Sequence, residues 1–459
     1  MKLPIIKQDL KSVLLNQDKN ELITILLNLA NEYPDIEKSL LFKYAPNQDE
    51  ISSSKKLIQE YINSAKRNGF IDWRHVDHAL KGAELTLQKA EGKLQNNEFE
   101  SAILLSLAVL NPVVRMLKYS DDSNGSVGSV IHWAVKMIDE AAGESLSRLN
   151  VKEQKKLFEA VLKEALKSQY SDWNDIRFNL LEACTYFVAN KDLRKKLEKQ
   201  LDTLYEQEGS SWSANYNQEQ VLLLRLNIIE RCDGVKEAER FIYQYIHHSE
   251  FRKKAIEMEF KKGGYKKVVQ LCLDGEEADK DYRGLVHEWR EFRYQAYELL
   301  GEVENQRQLA RELLFKDEYQ YYLKLKNLYD ENEWEVILQN ILDEFERMNF
   351  QPSVYLTILQ EENLTAQLLI YCNHHVSKIT DLYPHLIKDN LDEVITLFIK
   401  YIEQSSEEAS ERRSYRNVCR VIKTFKNACG TIHAHKLIGE LIEKYKRRPA
   451  FVEELGKIK

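Results

Sequence analysis

The stretch YSDDSNGSVGSVIHW, Tyr119 to Trp133, gathers two aspartates, an asparagine and two glycines ahead of an apolar run. Those residue types suit a calcium loop or a phosphate cradle. With Gly125 placed at the turn of a calcium loop, Asp122 and Asn124 fall on ligand positions. The first position is then Ser120, and the last, which needs a bidentate Glu, is Ile131. As a phosphate cradle, GSVGS lacks both the P-loop lysine and a preceding strand. The segment therefore reads as a turn between helices, with Ser126 capping the second helix and Val130, Ile131, Ala134 and Ile138 as its core face.

Other constellations meet similar objections. In IDWRHVDHAL, Asp72, His75 and His78 share one helix face and could begin a metal site, but no further ligand is indicated. The pairs His247–His248 and His374–His375 point about 100° apart on a helix, poor geometry for one ion. In CGTIHAHK, Gly430 interrupts the helix between Cys429 and His433. Zincin, hydrolase, kinase and dinucleotide motifs are absent. No catalytic residue, metal ligand or cofactor is assigned.

Charge is less evenly spread. The whole chain carries a net −7, yet residues 411–459 hold thirteen Lys or Arg against five Glu. Arg412, Arg413, Arg416, Arg420 and Lys423 line one flank of a helix whose core stripe is Tyr415, Val418, Cys419, Ile422 and Phe425. Lys446, Arg447 and Arg448 follow. This edge suits nucleic acid or an acidic partner, or is a solvated face. Its aromatics lie on the core stripe, so no platform for stacking bases is evident. A tyrosine-rich run, KDEYQYYLKLKNLYDENEWE, supplies Tyr319, Tyr321, Tyr322, Tyr329 and Trp334 as candidate anchors for a protein partner.

The elements that must position these residues are helices. The chain has 459 residues, 30% of them charged, with only 16 Gly and 7 Pro, too little punctuation for sheets and long loops. In NELITILLNLANEYP, Leu22, Ile25, Leu26 and Leu29 recur at helical spacing, and Pro34 is expected to close the helix. Helix pairs turn near Gly263, Gly301, Glu331, Glu361 and Asp389, at intervals of 38, 30, 30 and 28 residues. An earlier unit turns at Asn97. A helix–polar turn–helix unit of uneven length predicts an all-α fold, an extended solenoid of tetratricopeptide-like hairpins.

Three regions are expected: an N-terminal helical region (1–150), degenerate hairpin repeats (151–410) and basic capping helices (411–459). Polar stretches near 206–218 and 403–411 are candidate hinges. The six cysteines form no C-x-x-C pair and read as buried thiols of a reducing compartment. The N-terminus is charged too early for a secretory signal. The apolar run AILLSLAVLNPVV carries Asn111–Pro112 and reads as a kinked core helix, not a span. A cytoplasmic protein is expected.

The closing segment, YRNVCRVIKTFKNACGTIHAHKLIGELIEKYKRRPAFVEELGKI, resembles the end of the helical region of bacterial SWIM zinc-finger proteins. The shared signature is Tyr445, Arg447, Arg448, Pro449, Ala450, Glu454 and Leu455. NELITILLNLANEYPDIEKSLL, LIQEYINSAKRNGFIDWRHVDHALKGAE and YSDDSNGSVG also look like parts of that region. The family's metal module needs C-x-C followed by C-x-H. This chain has only Cys372-Asn373-His374, a half-motif without its partner. The resemblance implies the helical part without the finger, so zinc and finger-borne DNA binding do not carry over.

The expectation is a non-enzymatic helical-repeat scaffold for a protein or peptide partner. The alternative is a nucleic-acid-associated subunit using the basic C-terminal edge; an enzyme whose site has no motif ranks third. Pro449 is expected to start a short last helix whose Phe451 and Leu455 fold back over the preceding pair as a cap.

Overall fold

The computed structural model describes residues 10–45, 49–207, 212–348 and 350–458. Among the described residues there are 25 α-helices and three short 3-10 turns. They contain no strand, only the isolated bridges Arg67–Phe70 and Ile71–Ser120. The fold is all-α.

The junctions explain why the chain folds as hairpins. Asn97, Gly263, Gly301 and Asn363 all have left-handed backbone, with φ of 62°, 73°, 69° and 52°. In each case the next residue donates its N–H to the carbonyl five positions back. These bonds are Glu98 to Lys93 (2.9 Å), Gly264 to Glu259 (2.8 Å), Glu302 to Tyr297 (3.0 Å) and Leu364 to Leu359 (2.9 Å). This is the Schellman ending, which satisfies a terminal carbonyl and needs a residue tolerant of positive φ, hence Gly or Asn. The following helix opens within two residues, at Phe99, Tyr265, Val303 or Thr365. The other expected turns also fall at junctions. Glu331 opens Glu331–Arg347, Glu361 closes Ser353–Glu361, and Asp389 lies between Ile379–Leu386 and Leu391–Glu408.

The chain divides into two compact units, Met1–Ala255 and Ile256–Lys459. Within each, helices pack mainly on the next and next-but-one helix in sequence, the connectivity of a solenoid. The core of the first unit runs from Ile58 to Ile228 and that of the second from Tyr294 to Ile458. The division falls inside the helix Ser249–Lys262, not at 150 or 410. Ala142 and Leu157 share one core, as do Ile402 and Tyr415, so the polar turns at 150 and 410 cross only the surface.

The expected hinge at 403–411 is not a plain linker. The helix Leu391–Glu408 runs through most of 403–411, anchored by buried Ser406, whose hydroxyl donates to the Ile402 carbonyl at 2.6 Å. Of 206–218, residues 208–211 lie outside the described residues, and the helices Lys191–Gln207 and Trp212–Cys232 flank them. Pro34 opens the helix Pro34–Tyr44 at its first turn instead of closing the previous one, since a proline there loses no hydrogen bond. The apolar helix Phe99–Met116 is long enough to cross a membrane by length and composition, and 67% of it is buried in its own unit. Five cysteines are buried free thiols and Cys232 is exposed.

Candidate functional site

The opening constellation is a stapled turn. Asp122, not Ser126, caps the helix Ser126–Ser145, because its carboxylate accepts from the N–H groups of Val127 (2.7 Å) and Gly128 (3.1 Å). Ser126 is already helical, so its hydroxyl is free to donate to Asp77 at 2.9 Å. Gly125 takes φ 74° to make the entry. Backbone bonds tie the segment to Ile71, which donates to Tyr119 and accepts from Asp121, each at 2.9 Å. Asp72 caps the helix Trp73–Gln95 through the Arg74 N–H, and His78 pairs with the Ser64 hydroxyl at 3.0 Å. No group of three or more His, Cys, Asp or Glu among the described residues is placed to hold an ion.

The tyrosine run is mostly core. Tyr321 and Tyr322 are fully buried and Trp334 nearly so, which removes them as surface anchors. Tyr321 and Tyr322 pack inward with Leu325 from the helix Tyr319–Lys326, and Trp334 joins the same core from Glu331–Arg347. The Tyr322 hydroxyl donates to Glu362 at 2.6 Å, where Lys326 also binds. Tyr319 and Tyr329 are half-buried, Tyr319 stacked on Tyr322 and Tyr329 under the Arg307 guanidinium.

The basic edge divides into structural and free cations. Arg412 pairs with Glu453, and Arg412 and Arg416 lie 3.7 and 3.6 Å from Glu454. Lys446 pairs with Glu443 at 2.7 Å. Arg448 donates to the carbonyls of Ser406 (3.0 Å) and Ala409 (2.9 Å), closing the end of the helix Leu391–Glu408, and sits over the Tyr445 ring. Arg413, Arg420, Lys423 and Arg447 are exposed without hydrogen-bond or ion-pair partners among the described residues. In the resembling signature, Arg448 and Glu454 thus hold the terminal helix in place, while Arg447 is free. Arg448→Ala is expected to cost about 1–3 kcal/mol, because two part-buried carbonyls lose a charged donor. Arg413→Ala with Arg420→Ala should stay within about 0.5 kcal/mol. Urea unfolding of the two variants checks the ranking, and equal losses would refute it.

The feature with chemistry lies elsewhere, in a groove of the first unit. Asp139 comes from the helix Ser126–Ser145, Glu182 from Asn174–Cys184, and Tyr186 from the 3-10 turn after it. Asn227, Glu230 and Arg231 come from Trp212–Cys232, and Lys254 from the helix that begins at Ser249. The cavity measures about 310 Å³ and is lined by Asn179, Glu182, Gln220, Asn227, Glu230 and Lys254 over a leucine floor. Glu182 accepts from the Asn227 amide at 3.4 Å, and Arg231 donates to the Asn227 oxygen at 3.0 Å. The Tyr186 hydroxyl donates to Asp139 at 3.4 Å, and the Arg231 guanidinium lies 4.3 Å from the Tyr186 ring centre.

Two carboxyls in this site are held above their usual range. Burial pushes Glu182 up and the Asp139 charge adds to it, against Arg231 and Lys254, which favour its ionised form. Burial also raises Asp139, against the Tyr186 hydrogen bond and Arg231, which favour its ionised form. Each therefore keeps its negative charge at a cost. Asn179, Gln220 and Glu230 make no hydrogen bond among the described residues and face the opening. The set offers carboxamides for a peptide backbone and the Glu182 and Glu230 carboxylates for a cation. Sequence reading missed it because Asp139 and Glu182 are 43 positions apart and no local spacing links them.

Neither the family models nor the curated proteins compared with the chain match it. A solved structure described as "Circular tandem repeat protein with novel repeat topology and enhanced subunit contact surfaces" aligns over 89% of this chain and 93% of its own. The identity is 13% and the TM-score 0.23, too low to carry any argument.

Proposed function

We propose that the protein is a non-enzymatic helical-repeat scaffold that binds a cationic peptide segment of a protein partner in the groove around Glu182. The observation that supports this reading is Glu182, which lines the cavity and, like its electrostatic neighbour Asp139, is raised by burial. A lysine or arginine side chain entering there relieves the cost of their charge, and the free carboxamides can take up peptide N–H and C=O groups.

The test is titration of a fluorescent peptide of alternating Lys and Ser, against a Glu–Ser control. Binding should strengthen as pH rises through the raised carboxyl range and then level off, because the ionised form is what binds. Glu182→Gln with Asp139→Asn should weaken it about tenfold or more, the scale of close charge pairs. The sign for stability is opposite. A carboxyl whose folded pKa is raised destabilises the fold as pH climbs through that value, so Asp139→Asn alone should raise the free protein's Tm at neutral pH. Binding of both peptides alike, or a lower Tm for Asp139→Asn, would sink the reading.

The free cations Arg413, Arg420, Lys423 and Arg447 favour a second reading, association with nucleic acid through phosphates. It requires affinity that falls steeply with salt and is lost in Arg413→Glu, Arg420→Glu, Lys423→Glu. Salt-insensitive or absent binding removes it.

A further inference from the structure

A second groove in the first unit has the opposite character. Its floor is one face of the helix Phe99–Met116, where Leu104, Leu107, Ala108 and Pro112 recur at helical spacing with Asn111 among them. Its walls are the helices Glu50–Ala65 and Val151–Ala165, both packed on the floor helix. The space between them is about 530 Å³. Ile51 and Ala160 extend the apolar lining up either wall.

The charges on the rim are all but one positive. Lys55 stands on one wall and Lys163 on the other, with Lys167 just past the end of that second helix. Lys167 is engaged by Glu164 at 2.6 Å, and that carboxylate also accepts from the Tyr170 hydroxyl at 2.8 Å, so the acid is spent internally. Lys55 and Lys163 are exposed and have no hydrogen-bond or ion-pair partner among the described residues.

We infer that this groove docks a short amphipathic helix of a partner protein, apolar on one face and acidic along both flanks. Leu104 to Pro112 span about 12 Å of floor at 1.5 Å per residue, the length covered by anchors at i, i+3, i+4 and i+7 of a docking helix. Cations on both walls match two acidic flanks, whereas a single fatty-acid headgroup would need them gathered at one end. The Asn111 amide, without a partner among the described residues, offers one polar contact on an apolar floor and so fixes the register of the guest helix. The helices that frame this groove are not those that carry the Glu182 site, so either proposal can fail alone.

The experiment uses the full chain and a labelled peptide of about 14 residues, helix-capped, with Leu at i, i+3, i+4 and i+7 and Glu on both flanks. Fluorescence anisotropy should show saturable binding, weaker by at least tenfold when Lys replaces every Glu. Lys55→Glu with Lys163→Glu should weaken the acidic peptide about tenfold and leave Tm unchanged, since both side chains are exposed. Asp139→Asn should leave this binding untouched. No binding, equal binding of the two peptides, or indifference to the lysine reversals would overturn the inference. Laurate binding with the same lysine dependence, in place of the peptide, would assign the groove to a small anionic amphiphile and overturn it too.

Discussion

Truncating Phe451 and Leu455 to alanine together is expected to lower the stability of the second unit by about 4 kcal/mol or more. Both side chains are fully buried, although they lie within ten residues of the chain's last position. The helix Pro449–Gly456 that carries them packs on Arg412–Cys429, with Phe451 stacked on Tyr415 at 4.8 Å and tilted against Tyr445 at 5.5 Å. Leu→Ala and Phe→Ala changes in cores each cost about 2–5 kcal/mol, and neighbours sharing a cavity do not add fully. For a unit of this size that means a fall in Tm on the order of 10 °C. Arg413→Ala with Arg447→Ala is the proper comparison, because those cations make no hydrogen bond or ion pair among the described residues, whereas Arg448 supports two carbonyls. Circular dichroism melts of the two double variants decide. Equal melting points would make the terminal segment a loose basic tail and strengthen the nucleic-acid reading.

That cap was legible in the sequence because its signals are local. Pro449 marks a helix start, and Phe451 and Leu455 share a face four residues apart. The left-handed turns were legible for the same reason, since Gly or Asn between two apolar stripes has few other uses. The tyrosine run shows where locality ends. Spacing places Tyr321, Tyr322 and Leu325 on related faces, but which face is covered depends on where the helix Glu331–Arg347 returns. Trp334, on that returning helix, meets Tyr322 at 5.5 Å, and both leave the surface. Pro34 was ambiguous by nature: a proline can stop the helix before it or open the one after it, and only the cap geometry at Tyr33 separates the two. Both grooves were invisible for a deeper reason. Each gathers residues from three or more helices that meet only through next-but-one packing, so no window of sequence contains it.

Gly82 and Gly92 sit on one helix, Trp73–Gln95, and should respond to alanine with opposite signs. Alanine is the better helix former by about 0.5–1 kcal/mol, so propensity alone predicts a gain at both. At Gly92 nothing lies within 4 Å of the place a Cβ would take, and the gain should be realised in full. At Gly82 a Cβ would stand 2.9 Å from the Ile58 Cα and 2.9 Å from the Leu57 carbonyl oxygen. Both are backbone atoms of the helix Glu50–Ala65, so no side chain can swing aside, and the two helices must part. Overpacking of that kind costs about 1–3 kcal/mol and outweighs propensity. The same displacement would reach Ile58 and Ile62, core residues of the first unit, and Tyr61 beside them. Gly92→Ala should therefore melt higher than the parent protein and Gly82→Ala lower. A Gly82→Ala protein as stable as Gly92→Ala would mean that these helices are not in the close contact on which the packing of this end of the unit depends.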